Sequence, residues 1–270
     1  MTGHVTHPLQ VVAVKAARRV RLAALLATAV CAAAVVLAPF GAFAGLGLAD
    51  EGDRYPRVSY TGRFTFVRLR YPTFGFDRNP PWFHDYPTAD LHLSRILKEV
   101  TSVDPRIDGS NILPLEDPEL MKYPIAYMSE PGFWTIDEEQ AAAFRAYLLK
   151  GGFAIFDDFR GPDLDNLEAQ LRRVLPEGRL VRLDGTHPVF HSFFEIDDPD
   201  AFVPPYGGLA PGFFGMFEDN DPQKRLLLVA NHNNDLGEYW EFSDTGYAPV
   251  DLSNEAYKFG VNYIVYGLTH

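Results

Sequence analysis

This sequence predicts an α/β fold, a doubly wound, mostly parallel sheet flanked by helices, on three observations. The first is Tyr123 to Phe159, YPIAYMSEPGFWTIDEEQAAAFRAYLLKGGFAIFDDF, which reads as strand, turn, helix, Gly-Gly stop and second strand. That is one βαβ unit, and a crossover so compact makes its strands parallel. The second is that strand-like and helix-like segments go on alternating on either side of this unit. The third is the segment Asn254 to Leu268, apolar nearly all round, as a helix largely buried against a sheet must be.

Taken in order, residues 50–62 form a polar linker and residues 63–270 the α/β domain. Phe64 to Leu69 (FTFVRL) is the first strand, placed at or next to the centre of the sheet. Tyr71 to Tyr86 is too irregular for an element and too aromatic for a disordered linker, so it is expected as an ordered loop beside the strand ends. Ala89, Leu93, Ile96, Leu97 and Val100 mark a helix by their spacing, Asn111 to Leu115 a short strand, and Asp117 to Lys122 a helical turn. In the βαβ unit, Ile125 to Met128 is a strand and Ser129 to Gly132 a turn. Thr135 and Glu138 stand at capping-box spacing at the head of a helix that runs to Lys150. Gly151 and Gly152 end that helix, and Phe153 to Phe156 is a buried strand that ends in Asp157 and Asp158. Leu164, Leu167, Leu171, Val174 and Leu175 define another helix, and Leu180 to Leu183 a strand. Residues 197–221, rich in Pro, Gly, Asp and Phe, read as a long and functionally suggestive insertion, and Leu226 to Ala230 as an apolar strand.

Residues 1–49 have the pattern of an export signal or an N-terminal membrane anchor. Lys15, Arg18, Arg19 and Arg21 precede an apolar run from Leu22 to Phe40, and Ala42-Phe43-Ala44 offers a cleavage site after Ala44. If the run continues through Ala49 it is long enough to span a bilayer with its basic residues on the cytoplasmic side. Arg18-Arg19 also fits part of a twin-arginine pattern. Either way the domain is expected outside the cytoplasm, in the periplasm or on the outer face of the inner membrane.

All 36 acidic residues follow Ala44, whereas 4 of the 24 basic ones precede it, leaving 20 basic against 36 acidic, or −16. A nucleic-acid partner needs a basic footprint, and none is present. The one cysteine, Cys31, lies within the signal, so the domain is expected to work without thiol, disulfide or cysteine-ligated metal.

In an open α/β sheet, ligands bind outside the carboxyl ends of the strands. Four polar clusters fall there on this reading: Ser129 and Glu130; Asp157, Asp158 and Arg160; His187 and His191; and Asn231, His232, Asn233, Asn234 and Asp235. Each has a plainer alternative. Asp157 and Asp158 suit a cap with an ion pair to Arg160, His187 before Pro188 a loop histidine, Asn231 to Asp235 a turn, and Trp134 a lid on the core. G-x-S-x-G, Walker, G-x-G-x-x-G and H-E-x-x-H motifs are absent, and no spacing names a metal or cofactor.

The βαβ segment, together with HPVFHSFFEI, NDLGEYWE and EAYKFGVNYIVYGLTH, resembles a bacterial family of domains of unknown function with a class I glutamine amidotransferase-like, flavodoxin-like three-layer fold, over roughly Phe64 to Thr269. The resemblance implies that fold and an envelope location, and some relatives occur beside MoxR-type ATPases and von Willebrand A-type membrane proteins; the partner expected is an envelope or membrane protein. True amidotransferases carry a nucleophilic cysteine at a sharp turn after a strand; here that strand ends in Asp157-Asp158, and amidotransfer is not implied. Two functions follow as expectations. One is a non-catalytic binding or assembly module of the envelope, with Phe74, Phe76, Trp82 and Phe83 as exposed contacts. The other is a metal-assisted hydrolase using Asp157, Asp158, His187 and Asp235.

Overall fold

The strands in chain order are β1 (Val67–Arg70), β2 (Asn111–Pro114), β3 (Ile125–Ser129), β4 (Phe153–Phe159), β5 (Val181–Arg182), β6 (Gly212–Phe217) and β7 (Leu226–His232). The helices are α1 (Thr88–Val100), α2 (Glu138–Leu149), α3 (Asp163–Val174), α4 (Leu236–Glu241) and α5 (Val250–Thr269), with several 3-10 turns between them. This computed structural model describes Tyr55, residues 57–73, Gly75 and residues 79–270, so the export segment expected over residues 1–49 and the aromatics Phe74 and Phe76 lie outside the described residues. No helix among the described residues is long and apolar enough to cross a membrane.

Alternation of side chains along the strands creates two cores. Ile125, Tyr127, Phe153, Ile155 and Val229 face α1, α4 and α5, whereas Ala126, Met128, Ala154, Phe156 and Leu228 face α2 and α3. The result is a three-layer sandwich around a seven-stranded sheet of order β2-β1-β3-β4-β7-β6-β5. Strands β2, β1, β3, β4 and β7 are parallel; β6 runs antiparallel to β7, and β5 antiparallel to β6. The doubly wound, mostly parallel α/β architecture is thus the one the sequence predicts.

Four details differ from the sequence reading. Strand β1 lies second from the edge, outside the central strands, because β2 pairs on its far side. Helix α2 starts later than Thr135: Asp137 is the N-cap, accepting from the Gln140 N–H at 2.8 Å, and Gln140 Oε1 returns the bond to the Asp137 N–H. Burial of Trp134 and Ile136 keeps the chain extended up to that point. Asp157 and Asp158 lie within β4, which runs on to Phe159 across a register shift between Phe156 and Phe159. The 197–221 insertion contains β6, whose Gly-Phe-Phe-Gly run is buried on both faces and shows no period of two.

Both margins of the sheet are short. Strand β5 has two exposed residues, and β2 has four and ends in Pro114. Beside β2 the Asn111 amide clamps Val58, accepting from its N–H at 2.8 Å and donating to its carbonyl at 3.2 Å.

Candidate functional site

Strand order reverses between β1 and β3, since the chain leaves β1 toward β2 on one side and returns to β3 on the other. At such a switch point the loops after neighbouring strands diverge and open a crevice at the carboxyl edge. Here the loop after β1 carries His84 and Asp85, and the turn after β3 carries Glu130. Tyr71 ties the two sides together, donating from its hydroxyl to the carbonyls of Ser129 (3.1 Å) and Glu130 (2.5 Å).

A buried guanidinium fixes the first of these loops. Arg68, on β1 and fully buried, pairs with Asp90 at 2.6 Å and donates to the carbonyls of His84 (2.7 Å) and Trp82 (3.2 Å). Its guanidinium carbon lies 4.9 Å from the centre of the Tyr127 ring, and Asp90 also accepts from the Ser110 hydroxyl at 3.0 Å. Trp82, expected as an exposed contact, is buried by this arrangement, and Phe83 is half-buried against Tyr86 and Tyr55.

Asp158 is the hub. Its carboxylate accepts from Ser129 Oγ at 3.2 Å and from the Tyr206 hydroxyl, and its Oδ2 lies 3.7 Å from His84 Nδ1. His84 Nδ1 is also 2.6 Å from Glu130 Oε1. Interaction with Asp158 and with Glu130 raises the His84 pKa to about 10. On the other side of the hub, Asp85, Asp158 and Asp235 each bring a carboxylate oxygen within 4.8 Å of the others. Burial pushes Asp85 and Asp235 well above the usual carboxylate range, and the charge on Asp158 adds to both shifts. Asp85 Oδ2 is itself buried and has no hydrogen-bond partner among the described residues.

Backbone strain gathers at the same place. Asp85, Glu130, Asp158 and Asn233 all take positive φ, between 48° and 61°. Aspartate and asparagine enter this region readily, whereas for Glu130 it costs roughly 1–2 kcal/mol, a cost that proteins tend to carry at functional positions.

Asp157 has another task. Its Oδ1 accepts from Asn231 Nδ2 (3.0 Å), and its Oδ2 from the Tyr127 hydroxyl (3.0 Å) and the N–H groups of Leu236 (2.9 Å) and Gly237 (3.0 Å). These last two are donors at the start of α4 that have no partner within the helix, so Asp157 holds that helix against the sheet. Asn231 completes the network by accepting from Tyr263 at 2.8 Å. Asp235, the N-cap of α4, accepts from the Glu238 N–H at 2.8 Å, and its own N–H is taken by Asn234 Oδ1 at 2.9 Å. Gly237 permits the close approach: a Cβ there would stand 2.5 Å from Asp85 Oδ2 and 3.0 Å from the Tyr127 hydroxyl.

In front of Asp158 lies a cleft of about 500 Å³, lined among others by Pro81, His84, Glu130, Phe133, Arg160 and Tyr206. Of the residues singled out in the sequence, Ser129, Glu130, Asp157, Asp158, Arg160, Asn231, Asn234 and Asp235 therefore gather at one edge. His232 stays at the rim, its Nε2 2.9 Å from the Gly161 carbonyl and its ring against Phe159.

His187 and His191 do not join them. His187 packs against Phe217 and Tyr266 and accepts from the Val189 N–H at 3.2 Å. Phe217 pairs with Leu226 at the start of β7, which is the opposite, amino edge of the parallel strands. The four-residue hydrolase set is corrected accordingly: Pro188 starts a 3-10 turn that keeps His187 on that side, where it lines a separate cavity of about 710 Å³. His191 bonds the Gly185 carbonyl and Glu195, both at 2.6 Å. The sequence reading missed Arg68, His84, Asp85, Asp90 and Tyr206. A charge inside the apolar run FTFVRL was the available signal for Arg68, and the aromatic loop after β1 for His84 and Asp85.

No curated protein matches this chain. One family profile does, over residues 65–268, and its description is a domain of unknown function, DUF4159. That span takes in all seven strands and every crevice residue named above, and the chain belongs to the DUF4159 family.

Proposed function

We propose that this domain is a divalent-cation-dependent ligand-binding module of the cell envelope, with Asp85, Asp158 and Asp235 as the cation's protein ligands. The observation that carries the reading is the meeting of these three carboxylates within 4.8 Å, one of them with a buried oxygen that has no partner. At that separation two carboxylate charges repel by roughly 3 kcal/mol per pair at an effective dielectric near 20. A cation 2.0–2.6 Å from each oxygen, spanning about 4–5 Å between them, would turn repulsion into coordination. Oxygen donors favour hard ions such as Mg²⁺, Mn²⁺ or Ca²⁺.

The exported location rests on the sequence of residues 1–49. The amidotransferase-like frame belongs to the same proposal, supported by the left-handed residues Glu130 and Asp158 at strand ends, which put carboxylates where such a frame presents its reactive groups. Binding is favoured over hydrolysis because two members of the expected hydrolytic set are otherwise engaged. Asp157 is taken by four donors, and His187 lies at the other edge.

Calorimetric titration of the full chain with Mn²⁺, Mg²⁺ and Ca²⁺ tests the proposal. Wild type should bind an ion, Asp158→Asn and Asp235→Asn should weaken it at least tenfold, and His187→Ala should leave it unchanged. A folded wild-type chain that takes up none of the three ions would sink the idea.

A further inference from the structure

Beyond the cation itself, the cleft in front of Asp158 has a composition that selects a ligand. Its rim carries Arg160, whose guanidinium carbon lies 4.6 Å from the centre of the Tyr206 ring. Among the described residues no carboxylate pairs with this guanidinium; the nearby Asp163 carboxylate is taken up by the Arg160 backbone N–H at 3.1 Å. In a chain that carries 36 acidic and 20 basic residues after Ala44, an unpaired arginine over a cleft stands out. Arginine presents a planar fork of donors that matches phosphoryl and carboxylate oxygens, and stacking on an aromatic ring orients that fork at little entropic cost. Tyr206 also donates to Asp158, so one side chain links the guanidinium to the carboxylate cluster. The rest of the wall is mixed: Pro81, Phe133 and Phe159 give it an apolar side, while His84, Glu130 and Asp163 add one imidazole and two carboxylates, so an anionic ligand depends on the bound cation and on Arg160. The larger cavity at the amino edge offers no comparable charge, since its Arg182, Lys224 and Arg225 are paired with Asp200, Asp219 and Glu218 at 2.8, 2.6 and 3.8 Å, and Arg225 also donates to the carbonyls of Leu148 and Gly152.

We infer that the cleft takes a phosphate ester, its phosphoryl oxygens held between the bound cation and the Arg160 guanidinium and its apolar or aromatic remainder lying along Pro81, Phe133 and Phe159. This rests on the cation reading above. A dianionic phosphoryl group satisfies two cationic contacts at once, which a single carboxylate does less well.

The experiment is calorimetry on the full chain with phenyl phosphate, inorganic phosphate and benzoate, each with and without saturating Mn²⁺. Phenyl phosphate should bind the Mn²⁺-loaded wild type at least tenfold more tightly than the metal-free chain, and more tightly than inorganic phosphate or benzoate. Arg160→Gln should lose at least tenfold for phenyl phosphate while its Mn²⁺ affinity and thermal midpoint stay put, and Arg160→Lys should recover part of the loss. Phenyl phosphate binding unchanged in Arg160→Gln, or benzoate binding as tightly as phenyl phosphate, overturns this inference and leaves the cation reading standing. Absence of Mn²⁺ binding by wild type overturns both.

Discussion

Replacing Asp157 separates its role in holding α4 from any role as a ligand. Asp157→Ala removes the acceptor on which Asn231, Tyr127, Leu236 and Gly237 converge. Each buried donor left without a partner costs about 1–3 kcal/mol, so four of them cost about 4 kcal/mol or more. Asp157→Asn behaves differently. Its remaining oxygen serves the Tyr127 hydroxyl and the two N–H groups, and its new amide N–H meets Asn231, whose side chain can turn over. Asn231 then donates to Tyr263, 2.8 Å away, whose hydroxyl rotates to accept. Both variants also remove a buried carboxylate that is charged at pH 8, so the difference between them isolates the hydrogen bonds. Urea unfolding at pH 8 in EDTA, followed by the fluorescence of the buried Trp134 and Trp240, should place the alanine variant at least about 4 kcal/mol below the asparagine one. If the two variants fall within about 1 kcal/mol of each other, Asp157 does not anchor the start of α4 and the reasoning fails.

Burial raises Asp157 to about 6, so the folded chain holds more protons than the unfolded one between the ordinary carboxylate range and pH 6. The stability of the metal-free chain should fall as pH rises through that window, by roughly 3 kcal/mol from this group. Urea midpoints at pH 5 and pH 8, which span about 1.4 kcal/mol of that loss, should show a smaller drop for Asp157→Asn than for wild type, and an equal drop refutes the assignment. Gly237→Ala puts a methyl group 2.5 Å from Asp85 Oδ2 and should weaken divalent-ion binding at least tenfold, at a stability cost of about 1–3 kcal/mol. Calorimetry showing wild-type affinity would count against Asp85 as a ligand. Arg68→Met leaves Asp90 buried with only the Ser110 hydroxyl and frees the carbonyls of Trp82 and His84. It should cost about 3–5 kcal/mol in urea unfolding, and a loss under about 1 kcal/mol would show that the pair does not hold the loop.

The sequence carried the layers of the sheet well because helix and strand periods are local. The βαβ unit, α1, α3, β7 and α5 are each legible from the spacing of their own apolar residues. Strand β6 was not, since its GFFGMF run packs on both faces and lies among turn-forming residues. Half of the crevice was legible for a similar reason: polar residues following apolar runs mark strand ends, which finds Ser129, Glu130, Asp157, Asp158 and Asp235. The other half depends on strand order. Nothing local to His84 or Asp85 says that the loop after β1 meets the turn after β3, because that follows from β1 and β3 lying side by side across the reversal. His187 is misplaced for a different reason: the turn after β5, closed by the His187 N–H on the Asp184 carbonyl at 3.1 Å, folds it back against Phe217 and Tyr266.

The margins of the sheet bear on how this domain meets its neighbours. Joining another chain by strand addition requires a run of backbone donors and acceptors left open along an edge. One margin offers two residues; the other offers four, with Val58 docked at its start and a proline at its end. Copies of the domain crowded together therefore have little template for templated aggregation, and a protein binding at either margin would have to grip it through side chains, with recognition sensitive to single surface substitutions and indifferent to backbone register.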